Sequence, residues 1–535
     1  MNSMIYNPLE DYDKKFRDLH FDKTTEFFNA LVARSGVDIE ANRKTVAEYD
    51  AVGKRLRKIR RKRTLWLVLR VLMCITLVLI PLVIFKITPM LRELKNKIGE
   101  VEREQAALLA EAHRQMAPLN ALFTDRDALK IIEEIIPQLD FAPCFSAEQE
   151  SDMVTNYDFH VQDSNEQSTL DVLAGRYNEN PFLFETRLIH KMGVETYHGY
   201  KTICWTERYR DSDGRTRTRT RTQTLHATVV KPKPFYHTQV LLNYCAQGAP
   251  DLSFTRDATH LEQKSEKEIE KYVKKGEKKL KKKTDKALRE NDDFVSMSNT
   301  DFEVLFDALD RTDEVQFRTL FTPLAQTNMV DLIRSTVGYG DDFHFIKEKR
   351  TNRIVAQHSQ GREINLTPSA YTSYAFDVIQ NNFITKNTAF FKAVYFDFAP
   401  IWAIPVYQER PVHSLDPIPD YAQKYACKEC EALAHAVSRE HVVHPATKTQ
   451  AILKASFVGT QNALDEVSVE AFSYDIAKRL DVVPMLGGDG RIHGVPVPWD
   501  DYLPLTATNR FFVGTEDAVG KGSVLARRSN LCIIH

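Results

Sequence analysis

The chain is 535 residues long, with 72 Lys and Arg against 73 Asp and Glu, a formal net charge of −1, and seven Cys. That length leaves room for two or three domains, the balanced charge argues for neither nucleic acid nor an acidic substrate, and so few cysteines exclude the disulfide-dense framework of a small secreted scaffold. The fold class expected is α+β: a single transmembrane helix, a helical stalk, and a soluble region of two or three subdomains containing antiparallel sheet.

Residues 1–63 are a short charged segment. TTEFFNALVA (24–33) has the pattern of one amphipathic helix, and after Ser35 and Gly36 a second is expected to start near Asp38, with Val46, Tyr49, Val52, Leu56 and Ile59 on one stripe. It runs into TLWLVLRVLMCITLVLIPLVIFKI (64–87), which carries no charge between Val71 and Phe85. As a helix this stretch reaches about 36 Å, enough for a hydrocarbon core of about 30 Å, with a kink at Pro81. Lys54, Arg55, Arg57, Lys58, Arg60, Arg61, Lys62 and Arg63 form a cationic collar before it, suited to anionic headgroups. The topology expected is a single pass through the cell membrane with the lipid bilayer as partner, N-terminus cytoplasmic and C-terminal region extracytoplasmic. The span would serve as its own targeting signal, since no apolar run precedes it. Lys86, Arg92, Lys95, Lys97 and Arg103 after the span weigh against that orientation.

Residues 89–118 read as an amphipathic stalk. Leu91, Leu94, Ile98, Val101, Gln105, Leu108 and Ala112 alternate spacings of three and four. Such a seam either joins copies as a coiled coil through 89–117, making a homo-oligomer, or packs onto the chain's own domain.

Residues 119–258 have the texture of a β-rich α+β domain. VETYHGYKTICWTERYR (194–210) and RTRTRTRTQTLHATVV (215–230) alternate around the turn residues Asp211, Ser212, Asp213 and Gly214, which predicts a long antiparallel hairpin. Period two places Arg215, Arg217, Arg219 and Arg221 on one face. That row either binds anions or is a solvated edge that keeps the hairpin from aggregating. Residues 259–294 form a Lys-rich helical arm with Ile269, Val273, Gly276 and Leu280 at helical spacing, read as a solvated linker or as an attachment to anionic lipid.

Residues 295–410 suggest a further α+β domain. Helices are expected from a cap at Asn299 or Thr300 and after Thr322-Pro323, and strands 343–348 and 353–358 should flank residues 350–352. AFFKAVYFDFAPIWAIPVY (389–407) reads as a buried helix followed by an extended segment. A Pro-rich break at 411–419 then opens a C-terminal α+β domain, 411–535, with a helix through Val437 followed by short strands and turns at 487–490 and 495–498.

Few motifs carry chemistry. TVGYGD (336–341) resembles the selectivity filter of potassium channels, but its C-terminal flank is DFHFIKEKR rather than an apolar inner helix, so the expectation is a Gly-containing turn between helix and strand. Cys427 and Cys430, with His435 and His441, are the nearest approach to a metal set, and zinc is the ion they suit. Their spacing is wrong for a zinc site, because 427–433 reads as uninterrupted helix; a disulfide or ordinary helix residues are the alternatives. The acidic pairs Asp341-Asp342 and Asp500-Asp501 and the run Asp307, Asp310, Asp313 are explained by capping and solvation. There is no P-loop, G-x-S-x-G or H-E-x-x-H.

QTLHATVVKPKPFYHTQ (223–239), APDLSFTR (249–256) and NTDFEVLFDALDRTDEVQFRTLFTPLAQ (299–326) resemble blocks of uncharacterised bacterial single-span membrane proteins. The resemblance implies a bacterial envelope protein with a short N-terminal segment, a span and a large soluble part, and it carries over no active site. The function expected is non-enzymatic: a binding or scaffold protein with an unidentified protein partner. The alternatives are an enzyme with its site near Cys427, Cys430, His435 and His441, and a cytoplasmic-facing domain lying on anionic lipid.

Overall fold

The computed structural model describes residues 4–75, 83–161, 164–210, 212–290, 296–411, 424–462, 464–514, 524–528 and 531–534. The chain divides into a helical unit, Glu10–Pro137 with Asn365–Tyr395, and a sheet unit, Met1–Leu9 with Gln138–Ile364 and Phe396–His535.

In the helical unit, α1 (Arg17–Ser35) ends at Gly36, whose φ of +64° closes it in the left-handed region glycine tolerates. Asp38 then caps α2 (Ile39–Ile75), its Oδ1 accepting from Ala41 N at 2.9 Å, where the sequence placed the start. α2 and α3 (Thr88–Asn120) pair along their length: Arg55 meets Glu104 at 2.5 Å and Arg60 meets Glu102 at 2.7 Å. Val52 and Leu56 on α2 and Leu91, Leu94, Ile98 and Ala112 on α3 are buried. The seam of α3 is thus covered by α2 of the same chain.

This pairing corrects the transmembrane reading. Trp66 and Met73 pack against Val83, Ile87 and Leu91, so the two halves of the apolar stretch fold back on each other. Among the described residues no helix is long and apolar enough to cross a membrane. The single-pass topology, and the membrane localisation and orientation built on it, lose their basis; Pro81 lies outside the described residues. The collar residues sit on α2, with Arg55 and Arg60 engaged by α3. Leu65, Val71, Leu72 and Phe85 are exposed at this end of the pair.

Residues 376–395 of a helix that runs Phe376–Trp402 complete the helical core. Phe28 meets Phe376 and Phe383 at centroid distances of 5.9 and 5.4 Å, and His20 stacks on Phe391 at 4.2 Å. Burial lowers the His20 pKa to about 3, from an ordinary value near 6.5. The unfolded chain therefore binds the proton first as pH falls, and native stability declines through this window. Between about pH 6.5 and pH 4.5 we expect the wild type to lose about 2–3 kcal/mol more stability than His20→Phe, read from urea midpoints.

The sheet unit holds two antiparallel sheets. The first has the order β1 (Leu139–Phe141), β2 (Gln167–Tyr177), β3 (Asn180–Arg210), β4 (Thr216–Cys245), β7 (Thr351–Ala356), β6 (Phe343–Glu348), β5 (Ser253–Arg256). The second runs β11 (Val524–Arg528), β12 (Leu531–Ile534), β10 (Ile492–Gly514), β9 (Leu464–Leu486), β8 (Ile452–Gln461). The β3/β4 hairpin falls where the alternation and turn residues predict, but it is longer, because the apolar residues 182–184 and 240–242 carry it into the body of the sheet. Beyond Ile189, β3 pairs with β4 alone, so residues 190–210 form a two-stranded ribbon of about 70 Å at about 3.4 Å per residue. β9 and β10, expected as short strands, form a second ribbon beyond Phe472, and residues 495–498, expected as a turn, pair with 480–483 inside it.

The ribbons pack face to face through Ile203, Leu225, Ala227, Val495 and Val497. They approach so closely that a Cβ on Gly199 would lie 2.2 Å from the Pro496 carbonyl oxygen. Lys231 reaches Asp481 at 2.7 Å, and Gly488 N donates to Gln223 Oε1 at 2.6 Å. Pro484, Pro496, Pro498 and Pro504 all fall in one class of cross-strand pair, as do Pro232 and Pro234 on β4. A ribbon tolerates proline only where the missing N–H would point away from the partner strand, so these prolines also remove donors from its open edges.

The remaining helices pack within the sheet unit. Lys-rich α4 (Glu266–Glu290) is a packed helix: Ile269, Val273, Leu280 and Ala287 are buried, and Val304 of α5 (Thr300–Phe306) fills the space over Gly276. Asn299 and Thr322 cap α5 and α6 (Pro323–Arg334) as their sequences predict. Strands β6 and β7 turn at 349–350, not across 350–352, because Thr351 pairs with Glu348 and is buried. The TVGYGD segment is a turn between α6 and β6, and Asp341 within it is fully buried against Arg256. The segment predicted as a Pro-rich break lies outside the described residues from 412 onward, and the helix after it, α7, is Cys427–Ala436.

Candidate functional site

The sequence-derived metal set is dispersed. Cys427, at the first turn of α7, is exposed; Cys430, one turn on, is fully buried with Leu433, Val467, Val469 and Phe511, and burial pushes its thiol pKa up. His435 sits at 2.9 Å from the Ser168 hydroxyl through Nε2, and burial lowers its pKa to about 4. His441 lies on the short helix α8 (Arg439–Val442), 3.7 Å from Glu440. Among the described residues no group of three or more His, Cys, Asp and Glu is arranged to hold a metal ion, so the zinc tetrahedron is not assembled.

What α7 does build is a charged cavity of about 440 Å³, bounded by β2, β3, α7 and strands β8, β9 and β10. Its depth is formed by ion pairs that join α7 to both sheets. Glu185 on β3 accepts from Lys428 Nζ at 2.7 Å, Arg187 at 2.8 Å and Thr169 Oγ1 at 2.9 Å. Burial alone would raise Glu185, but Lys428 and Arg187 outweigh it and hold its pKa at about 2. Glu431 accepts from the Thr169 amide at 2.7 Å and from Lys454 Nζ at 2.7 Å; burial raises its pKa against the pull of Lys454. Cys427 lines the same cavity, and His435 adjoins it through Ser168.

Sequence reasoning missed Glu185, Arg187, Lys428, Glu431 and Lys454. Two signals were available: charges at alternate positions inside the apolar run that begins at Phe182, and Lys428 and Glu431 three apart on one face of a helix.

The arginine row lies at the far end of the longer ribbon. In the β3/β4 register Arg217, Arg219 and Arg221 stand opposite Tyr209, Glu207 and Trp205, so these six share one face. Glu207 pairs with both Arg219, at 2.8 Å, and Arg221, at 2.5 Å, while the guanidinium of Arg219 lies 5.2 Å from the Tyr209 ring. Arg219 and Arg221 each keep 47% of their side-chain surface exposed. Arg215 precedes β4 and is exposed as well. The turn of the shorter ribbon reaches only as far as Trp205 and Gln223, and residues 206–221 contain no proline.

The acidic motifs resolve as structure. Asp313 caps a helix through Gln316 N, Asp310 accepts from Thr255 N, Asp500 and Asp501 pair with Lys478 and Arg479, and Asp342 holds His358 at 2.7 Å. Compared with protein-family models, with curated proteins and with solved structures, the chain finds no match.

Proposed function

We propose that this is a non-catalytic binding protein whose braced β-ribbon arm presents an arginine-rich end to an acidic segment of a partner protein. The observation that carries the reading is the end of the ribbon: Arg217, Arg219 and Arg221 stand on one face of a stretch that is exposed, free of proline and beyond the reach of the second ribbon. Alternate residues of a strand are about 6.8 Å apart, which is also the spacing of alternate carboxylates on an extended acidic chain. An added strand would gain main-chain hydrogen bonds at the open edge and charge-assisted ones to the guanidiniums. Glu207 already accepts from two members of the row, so the row is suited to carboxylates. The body of the arm is protected by its prolines and its partner ribbon, which confines docking to the end.

The test is fluorescence anisotropy with a labelled peptide alternating Glu and Val. Binding should weaken about tenfold or more when Arg215, Arg217, Arg219 and Arg221 are replaced by Ser, and should weaken from about 50 mM to about 300 mM salt. Equal affinity of the wild type and the Ser variant would overturn the reading, and so would tighter binding to a single-stranded oligonucleotide of equal charge.

A further inference from the structure

The cavity beneath α7 is a second feature, independent of the ribbon end. Its walls concentrate charge: the side chains of Glu185, Arg187, Lys428 and Glu431 are each 7% exposed or less, and Lys454 is 19% exposed. Buried ion pairs contribute little net stability compared with apolar packing of the same volume, because desolvation offsets the attraction. A seam whose only task was to join two sheets would be served better by aliphatic residues. Charges gathered around an open volume point instead to recognition.

The distribution of those charges is polar in the electrical sense. The lining sets Arg187, Lys428 and Lys454 against Glu185, Glu431 and Glu470, three charges of each sign. At the rim stands Glu470, an exposed carboxylate directly across the β8/β9 ladder from Lys454. Among the described residues no aromatic ring lines the cavity, so it offers no stacking face for a nucleobase or a sugar. The remaining lining includes the hydroxyls of Ser168, Ser456, Ser468 and Thr508, which both donate and accept.

We infer that this cavity binds a small zwitterion of the amino-acid or dipeptide type, its carboxylate directed inward to Arg187, Lys428 and Lys454 and its ammonium held at the rim by Glu470. A volume of about 440 Å³ lies within the range of small-molecule sites. Both ends of such a ligand exchange hydration for charge-assisted hydrogen bonds, whereas a simple anion leaves Glu470 facing it and a simple cation faces Arg187, Lys428 and Lys454.

The experiment is isothermal titration of the full-length chain with glycylglycine and L-glutamine, with glutarate and putrescine as single-sign controls. The zwitterions should bind and the controls should bind at least about tenfold more weakly. Glu470→Gln should cost about tenfold in zwitterion affinity with an unchanged melting temperature, because its exposed carboxylate has no ion pair or hydrogen bond to lose among the described residues. Heat from neither zwitterion, glutarate binding as tightly as the zwitterions, or an affinity indifferent to Glu470→Gln would each overturn the inference. Those outcomes leave the ribbon-end reading untouched, since it concerns other residues.

Discussion

Asp341→Ala is expected to destabilise the protein by about 3–5 kcal/mol, measured by urea denaturation, although the residue belongs to a turn. Its carboxylate is fully buried against Arg256, itself fully buried, and it also accepts from the amides of Thr259 at 3.1 Å and Leu261 at 3.3 Å. Removing it strands a guanidinium that burial already pushes below its ordinary pKa. Arg256 then keeps the carbonyl of Phe343, the rings of Phe343 and Phe306 at 4.3 and 6.0 Å, and the weaker pull of Asp342 and Asp257. Because the cost is that of an uncompensated charge, Arg256→Met in the Asp341→Ala background should recover part of it. A single-variant loss below about 1 kcal/mol would show that the pair is solvated and the burial argument wrong.

Glu185→Ala is expected to cost a similar amount, about 3–5 kcal/mol, for a different reason. It leaves Lys428 and Arg187, both nearly buried, facing each other across the vacated position. Lys428→Met added to Glu185→Ala should restore more stability than it removes from the wild type, a sign reversal that a double-mutant cycle reads directly. The carboxylate also sets a pH dependence. Its folded pKa of about 2 lies below the ordinary value near 4.5, so the stability it confers is complete above about pH 4.5 and is lost as pH falls toward 2. Denaturant midpoints of the wild type should fall across that window, and those of the double variant should fall less.

Much of the local structure was legible in particular residues. Asn299 and Thr322 cap helices because a short polar side chain before an apolar periodic run satisfies free amides. The apolar stripe on the Lys-rich helix identifies a buried face whatever the outer charge, though not what covers it. Pattern misled where it was read as an environment. The stretch 64–87 is apolar enough for lipid, but hydropathy registers only a demand for burial, and within the described residues part of that demand is met by the chain folding back on itself. The candidate cavity was less legible still, since Thr169 and Glu431, or Glu185 and Lys428, lie more than 200 residues apart in sequence.

The sequence by itself determined where α2, α5 and α6 begin and where the β3/β4 hairpin alternates and turns, because caps, periodicity and turn chemistry act over a few neighbouring residues. Only the tertiary structure decided that α2 and α3 pair, that two ribbons stack into one arm, and that α7 brings its charges to strands far away in the chain. Those outcomes depend on which buried surfaces meet. Burial is not directional, so many partners would satisfy the same apolar stripe, and the choice among them is made only when the whole chain packs at once.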